Sequence, residues 1–500
     1  MMATSFSMIL FLFTLIGGGG GNHLLDYAST EAFWKSKGVI VNVQTMTAEL
    51  KSSDAQDISE LIKQLASPDG QVRAGASKKI VQLGEAVLPQ LEKAADIPDP
   101  EVAASVKTLI ADISAASKKN AVRRLMAIRA LGELKKPDAV ATLRPLLNAK
   151  EMFVAEYAAR SIAQLEGKPI APGGATAEQK KSDLALLTAD CRLVVQVAPA
   201  FAPVPVDVLI EKIPAAAIGN PNKDQIKADL TKAVLLVAEM IGDVRVDSVT
   251  LGSSADFGPN AGFAAIIIRG QYDSAAVRQA LMKLQIAPRP VGGTDVFSPD
   301  EHFSALFPAN DRAIGITGAN PQVMNVEGFA TALKTGKGGL ESSDEMKKLL
   351  ATVDTTQPLW AVLKMTDTLK QVPIFSAFEQ IMLVGKVKDQ TVDIQINGQG
   401  QNAAQVAAAV DQLNAAVQQG INQLKPMAQD APFMSQIVKT LEGIQCKSEG
   451  EKATLTLSVK ADTATLIGPM LFGVRSTPEL APPPAAQVIP PPPPQPQLVK

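Results

Sequence analysis

Residues Ser67 to Gly84 read SPDGQVRAGASKKIVQLG, and Ile97 to Ser114, thirty residues on, read IPDPEVAASVKTLIADIS. Pro68-Asp69 and Pro98-Asp99 hold the same place in the two stretches. Proline ends one helix there, because it lacks an N–H and clashes with the preceding turn, and aspartate caps the next by accepting from its free amides. Farther along, NAVRRLMAIRALGEL (Asn120 to Leu134) and MFVAEYAARSIAQLEG (Met152 to Gly167) repeat the second half of that unit. Val72, Ala76, Ile80 and Leu83 are spaced to share one helical face, as are Val122, Met126, Ala130 and Leu134. Small residues at Ala74, Ala103, Ala127 and Ala159 would let neighbouring helices approach closely. One helix pair cannot bury such a face alone, so the spacing predicts stacked units over Asp57 to Gly167.

The stretch LIKQLASPDGQVRAGASKKIVQLG, from Leu61 to Gly84, resembles a HEAT repeat of the short bacterial kind also found in phycobilisome lyases. It carries the family's turn, its Val-Arg at Val72-Arg73 and its closing Leu-Gly, which recurs at Leu131-Gly132. The second unit departs from the pattern, with Val102-Ala103 in place of Val-Arg. The resemblance implies an all-α solenoid that serves as a scaffold or adaptor, with Arg73 at the family's arginine position. It implies no catalytic chemistry.

Beyond the linker 168–181, which includes KPIAPGGATAEQK, the grammar changes. LVVQV (Leu193 to Val197) and FAAIIIR (Phe263 to Arg269) read as strands, Gln225 to Met240 as a helix, and Thr391 to Ile396 as an alternating strand. LTADCRLVVQV near Leu187 matches FPANDRAIGIT near Phe307, and the strand-turn-helix at Gly270 matches the one at Gly398. The two offsets, 120 and 128 residues, predict two related α+β modules at 182–304 and 305–474, with TLTLSV (Thr454 to Val459) as a last strand. The tail 475–500 holds Pro482 to Pro484 and Pro490 to Pro494, which favour extended polyproline and a disordered tether. The expected fold class is therefore mixed: an N-terminal extension at 22–56, an all-α solenoid at 57–167, two α+β modules and a Pro-rich tail. This order of parts is loosely similar to that of uncharacterised exported envelope proteins of Planctomycetes-like bacteria.

At the N-terminus, FSMILFLFTLI (Phe6 to Ile16) is an uncharged run of signal-peptide size, and Gly17 to Gly21 behind it are small enough for a cleavage site. The run is too short for an ordinary membrane span. Segment 1–21 is thus expected to export the chain to the periplasm, cell envelope or exterior, and membrane association is expected only through this apolar stretch. A formal net charge of -2 and an aromatic fraction of 4% argue against nucleic acid, which needs a positive field and stacking rings.

The chemical motifs are sparse. His23 and His302 stand almost the whole middle of the chain apart, which excludes a multi-histidine metal site built from a local motif. Gly398-Gln399-Gly400-Gln401-Asn402-Ala403 fits a dinucleotide turn in outline, but its counterpart at Gly270 has Tyr272 where the second glycine should be. Asp300-Glu301-His302 reads as a solvated loop, and Thr335-Gly336-Lys337-Gly338 lacks the spacing of a phosphate loop. Cys191 and Cys446 are expected as two separate thiols. The seam Val406, Val410, Leu413, Val417, Ile421 and Leu424 reads as a helix packing on its own sheet. No catalytic, metal or cofactor residue is expected. The resulting expectation is a non-catalytic interaction or scaffold protein with a protein or cell-envelope partner. The alternatives are a hydrolase using carboxylates alone and a binder of envelope polymers or small ligands.

Overall fold

The run Phe263–Gln271, FAAIIIRGQ, is apolar on both faces, and its side chains divide between two cores. Ile266 and Ile268 enter a cluster with Val234 and Ala238, whereas Ala265 and Ile267 enter another with Leu187 and Phe329. A strand of this kind belongs in the interior of a sheet covered on both sides. The computed structural model describes residues 22–50, 57–168, 175–198, 223–255, 262–318, 322–337, 339–388, 391–426, 428 and 432–460. The apolar stretch Phe6 to Ile16, residues 169–174 of the linker and the Pro-rich tail lie outside these residues.

The strands are β1 (Asn22–His23), β2 (Leu193–Val197), β3 (Arg245–Ser253), β4 (Phe263–Gln271), β5 (Pro288–Val291), β6 (Thr294–Asp300), β7 (Phe303–Ala309), β8 (Arg312–Gly318), β9 (Leu359–Lys364), β10 (Gln380–Lys388), β11 (Thr391–Gln399), β12 (Gln445–Glu449) and β13 (Lys452–Lys460). The helices of the first part are α1 (Thr30–Ser36), α2 (Val43–Glu49), α3 (Ser59–Leu65), α4 (Gly70–Leu83), α5 (Leu88–Ala94), α6 (Pro100–Glu133), α7 (Ala139–Leu143) and α8 (Val154–Leu165). Those of the second part are α9 (Ala177–Leu184), α10 (Lys223–Ile241), α11 (Ser274–Lys283), α12 (Val326–Thr335), α13 (Asp344–Leu350), α14 (Asp367–Lys370), α15 (Ala403–Leu424) and α16 (Pro432–Glu442).

All described strands join one 13-stranded sheet, in the order β12-β13-β11-β10-β9-β2-β3-β4-β8-β7-β6-β5, with β1 on β3. Each pairing is antiparallel. This overturns the two separate modules. β2 pairs with β9 from Leu193↔Leu363 to Val197↔Leu359, so the sheet is continuous across the middle of the chain, and the boundary at 304/305 falls inside β7. The repetition is real at Gly270 and Gly398, since β4 followed by α11 and β11 followed by α15 hold matching places on either side of the β2–β9 pair. The match of Leu187 with Phe307 equates β2 with β8, which do not hold matching places. Apolar strands with a shared alternation pair whenever their edges meet, and nothing in either half blunts β2 or β9.

The all-α solenoid is corrected as well. Asp69 and Asp99 do cap α4 and α6, accepting from Gln71 and from Glu101 and Val102. Between Ser114 and Asn120, however, AASKK contains neither Pro nor Gly, and α6 runs unbroken for 34 residues through what the repeat register divides. Its first half packs with Ile58, Ile80 and Leu91 in a small helical core. Its second half, Val122 to Leu131, shares a core with residues of the N-terminal extension and with Ile266 and Ile268 of the sheet. The helices of 57–167 therefore do not close on themselves. Ala76 and Ile80 are buried as the stripe requires, Leu83 is half-buried, but Val72 is exposed. Arg73 is not idle: its guanidinium donates to the carbonyls of Ser67 and Pro68 at 2.7 and 3.2 Å, tying off the end of α3.

Ile80→Asp places a carboxylate among Ala76, Leu91 and Val106 and should cost at least about 3 kcal/mol. Lys78→Ala, on the exposed side, should stay within about 0.5 kcal/mol. Hydrogen exchange across α3 to α5 measures both. Unchanged protection in the Ile80 variant would mean that the buried face is wrongly placed.

Candidate functional site

The motifs marked in the sequence turn out to be structural. A side chain at Gly398 would stand 2.6 Å from the Phe378 ring, and one at Gly400 would stand 2.3 Å from the Ala377 carbonyl. These glycines therefore admit the segment before β10, leaving no space for a phosphate, and Asn402 caps α15 by accepting from Gln405. Asp300 to His302 form the exposed β6–β7 turn. Gly336 is the left-handed residue that ends α12. Among the described residues no group of three or more His, Cys, Asp or Glu side chains could hold a metal ion, and no helix is long and apolar enough to cross a membrane. Both cysteines are free thiols, and burial pushes the Cys191 thiol up to about 12. The α15 seam packs on β12, β13 and α16.

Charged side chains converge instead at His23, which the sequence showed only as an isolated histidine. β1 takes the place beside β3 that β2 vacates, pairing His23 with Arg245. The imidazole is fully buried and donates through Nδ1 to Asp243 Oδ2 at 2.7 Å and through Nε2 to Glu156 Oε1 at 3.0 Å. Asp243 also accepts from the Tyr157 hydroxyl and the Leu25 amide, both at 3.0 Å. Glu156 is held by Arg245 at 2.9 Å, and Arg245 in turn grips Asp247. Arg160 reaches Asp26 at 2.8 Å. Burial alone would lower the His23 pKa, but Asp243, Glu156 and Asp26 outweigh it and raise it to about 9. Burial would raise the Glu156 carboxyl, yet His23 and Arg245 bring it down to about 2. The ring is thus an imidazolium at neutral pH, with both nitrogens committed and no access to a substrate. The partners lie 133 and 220 residues away in sequence, a separation no motif could reveal.

A second buried cluster centres on Arg269 of β4. Arg269 donates to Asp183 at 2.6 and 2.9 Å and to Asp311 at 3.0 Å, and Arg312 approaches Asp183 at 3.3 Å. It ties α9 to β4 and β8. In both clusters the carboxylates face cations, as structural ion networks do.

The accessible feature is the outer face of β10, β11, β13 and β12. Around β4 helices cover both faces, but here the alternation of DIQIN leaves Asp393 and Gln395 outward, beside Ser458 and Thr456. Lys386 and Gln445 extend the grid, and all six side chains are exposed. They surround a shallow depression of about 420 Å³ that Val384 and Gly443 also line. Ser458 donates to Asp393 at 2.5 Å, a contact between exposed groups.

No family model and no curated protein matches the chain. Among solved structures it is similar to crystal forms IV, III and I of TP0453. Each is 11% identical over 57% of this chain and 95 to 97% of that one, with TM-scores of 0.30 to 0.31.

Two substitutions probe the buried cluster. Asp243→Asn removes the negative charge and puts an NH2 where Oδ2 accepts from His23 and Tyr157, which leaves the imidazolium half-paired, for an expected loss of about 3–5 kcal/mol by denaturant unfolding. Gly270→Ala would drive a methyl to 1.8 Å from the Arg245 carbonyl beside the cluster, and should cost a comparable amount. A change below about 0.5 kcal/mol in either would show that the packing around Arg245 is not as described.

Proposed function

We propose that this chain is an exported, non-catalytic interaction protein whose partner binds the open face of β10, β11, β13 and β12. The observation that carries the reading is the one-sided cover of this part of the sheet, with Lys386, Asp393, Gln395, Gln445, Thr456 and Ser458 exposed together around a shallow depression. Flat, polar and without deep concavity, such a surface suits a protein or cell-envelope partner better than a small substrate, which needs a pocket that encloses it. Export rests on the apolar run Phe6 to Ile16 and the glycines behind it. Membrane association, on this reading, involves that run alone.

The test uses a photo-crosslinking residue placed at Gln395 or Thr456, with Lys78 on the helical part as the control. Adducts of one discrete mass from the first two positions in cell-envelope fractions, and none from Lys78, are expected. With the crosslinker kept at Gln395, the pair Thr456→Arg and Ser458→Arg should weaken that capture at least about 10-fold. Adducts from Lys78 alone, or from no position, would refute the proposed face. N-terminal sequencing of the native protein addresses export separately, and a retained Met1 in a cytoplasmic fraction would refute it.

A further inference from the structure

The N-terminal arm, Asn22 to Ala28, is buried along its whole length, yet it contributes only a two-residue strand to the sheet. β3 keeps β2 and β4 as partners without it. Its other attachments are the burial of Leu24, Leu25, Tyr27 and Ala28 in the adjoining apolar core and a set of polar contacts: the Leu24 amide donates to the Val244 carbonyl at 2.7 Å, the Leu25 amide to Asp243 at 3.0 Å, and Arg129 to the carbonyls of Leu25 and Ala28. We propose that this arm is a proton-held strap, which is seated most firmly while the His23 ring carries both N–H groups and opens far more often, as a local unit, when one of them is lost.

The groups that meet the ring decide this. From α8 come Glu156 and Tyr157, with the edge of Phe153 at a centroid distance of 4.7 Å. From the turn before β3 comes Asp243, and from the arm itself Asp26. Arg245 and Arg160 stand behind, already bound to Glu156 and Asp26. Every charge in direct contact with the ring is therefore negative. A neutral imidazole keeps one N–H, and its bare nitrogen then faces a carboxylate oxygen, either fully buried Asp243 at 2.7 Å or half-buried Glu156 at 3.0 Å, and the repulsion is strongest on the buried Asp243 side. Tyr157 cannot compensate, because its hydroxyl is spent on Asp243.

The direction in pH follows. The seated ring titrates at about 9 and the released ring at its ordinary 6.5, so the seat is at full strength below the lower value and weakens as pH rises towards the upper one. Between them the opening constant grows about tenfold per pH unit, about 300-fold in all, and levels off above the seated value. The sheet should not follow, because the arm is a separately opening unit.

Hydrogen exchange on the full chain tests this. Protection factors of the Leu24 and Leu25 amides, corrected for the base dependence of free exchange, should fall about 150-fold from about pH 6.5 to about pH 10, while Ile266 to Ile268 hold theirs. In His23→Gln the arm should already be weakly protected at the lower pH and show no such trend. Should that variant not fold, acylation of the wild-type protein by diethylpyrocarbonate gives the same information, with exposed His302 as the internal reference. His23 is expected to lag far behind His302 at the lower pH and to approach it at the upper one. Protection at Leu24 and Leu25 that is level with pH, or that falls in step with β4, would overturn the strap. So would His23 reacting as fast as His302 throughout.

Discussion

Burying an imidazolium is unfavourable, and the fold recovers that cost by surrounding His23 with carboxylates, two from distant parts of the chain and one from its own arm. Asp243 precedes β3, Glu156 lies on α8 and Asp26 belongs to the arm. Because the pair to Asp243 is dry on both sides, it is worth keeping only when complete; removing one member leaves a buried charge that the remaining neighbours only partly compensate. The N-terminal arm, the helical region and the sheet are thereby fixed to one another at a single point. The apolar cluster that includes Leu25, Tyr157, Val246 and Ile268 then closes around it.

The sheet's two halves use the same order of pairing but different cover. Around β4, one face meets α10 and the second half of α6, and the other meets α12 and α13, so the strand is apolar from Phe263 to Ile268. At β11 only one face is apolar, and the opposite side chains are Asp393, Gln395 and Asn397. Strand composition records this difference in exposure. Among the described residues nothing covers that second face, and a sheet face of this kind presents side chains in a fixed grid at little entropic cost on binding.

Much of the local structure was legible. The Pro-Asp caps, the buried Ile80, the strand at FAAIIIR and the α15 seam all follow from periodicity within a dozen residues or so. What failed needed information from farther away. The repeat register divided α6 because related helical faces look alike whether or not a turn separates them. Offsets of 120 and 128 residues suggested two modules, but duplicated strands say nothing of whether their edges meet, and β2 and β9 do. The glycine-rich turn at Gly398 resembled a phosphate site because close approach of any group, here Phe378, demands the same residue. His23 was invisible as the centre of a cluster because its partners share no spacing with it.

The charge on His23 is the central claim, and nitrogen-detected NMR of the histidine rings measures it directly. At about pH 7.5 the account predicts that the buried ring, told apart from His302 by its slow exchange, shows two protonated nitrogens, each coupled to its own N–H. A single protonated nitrogen at that pH, the pattern of a neutral tautomer, would contradict it.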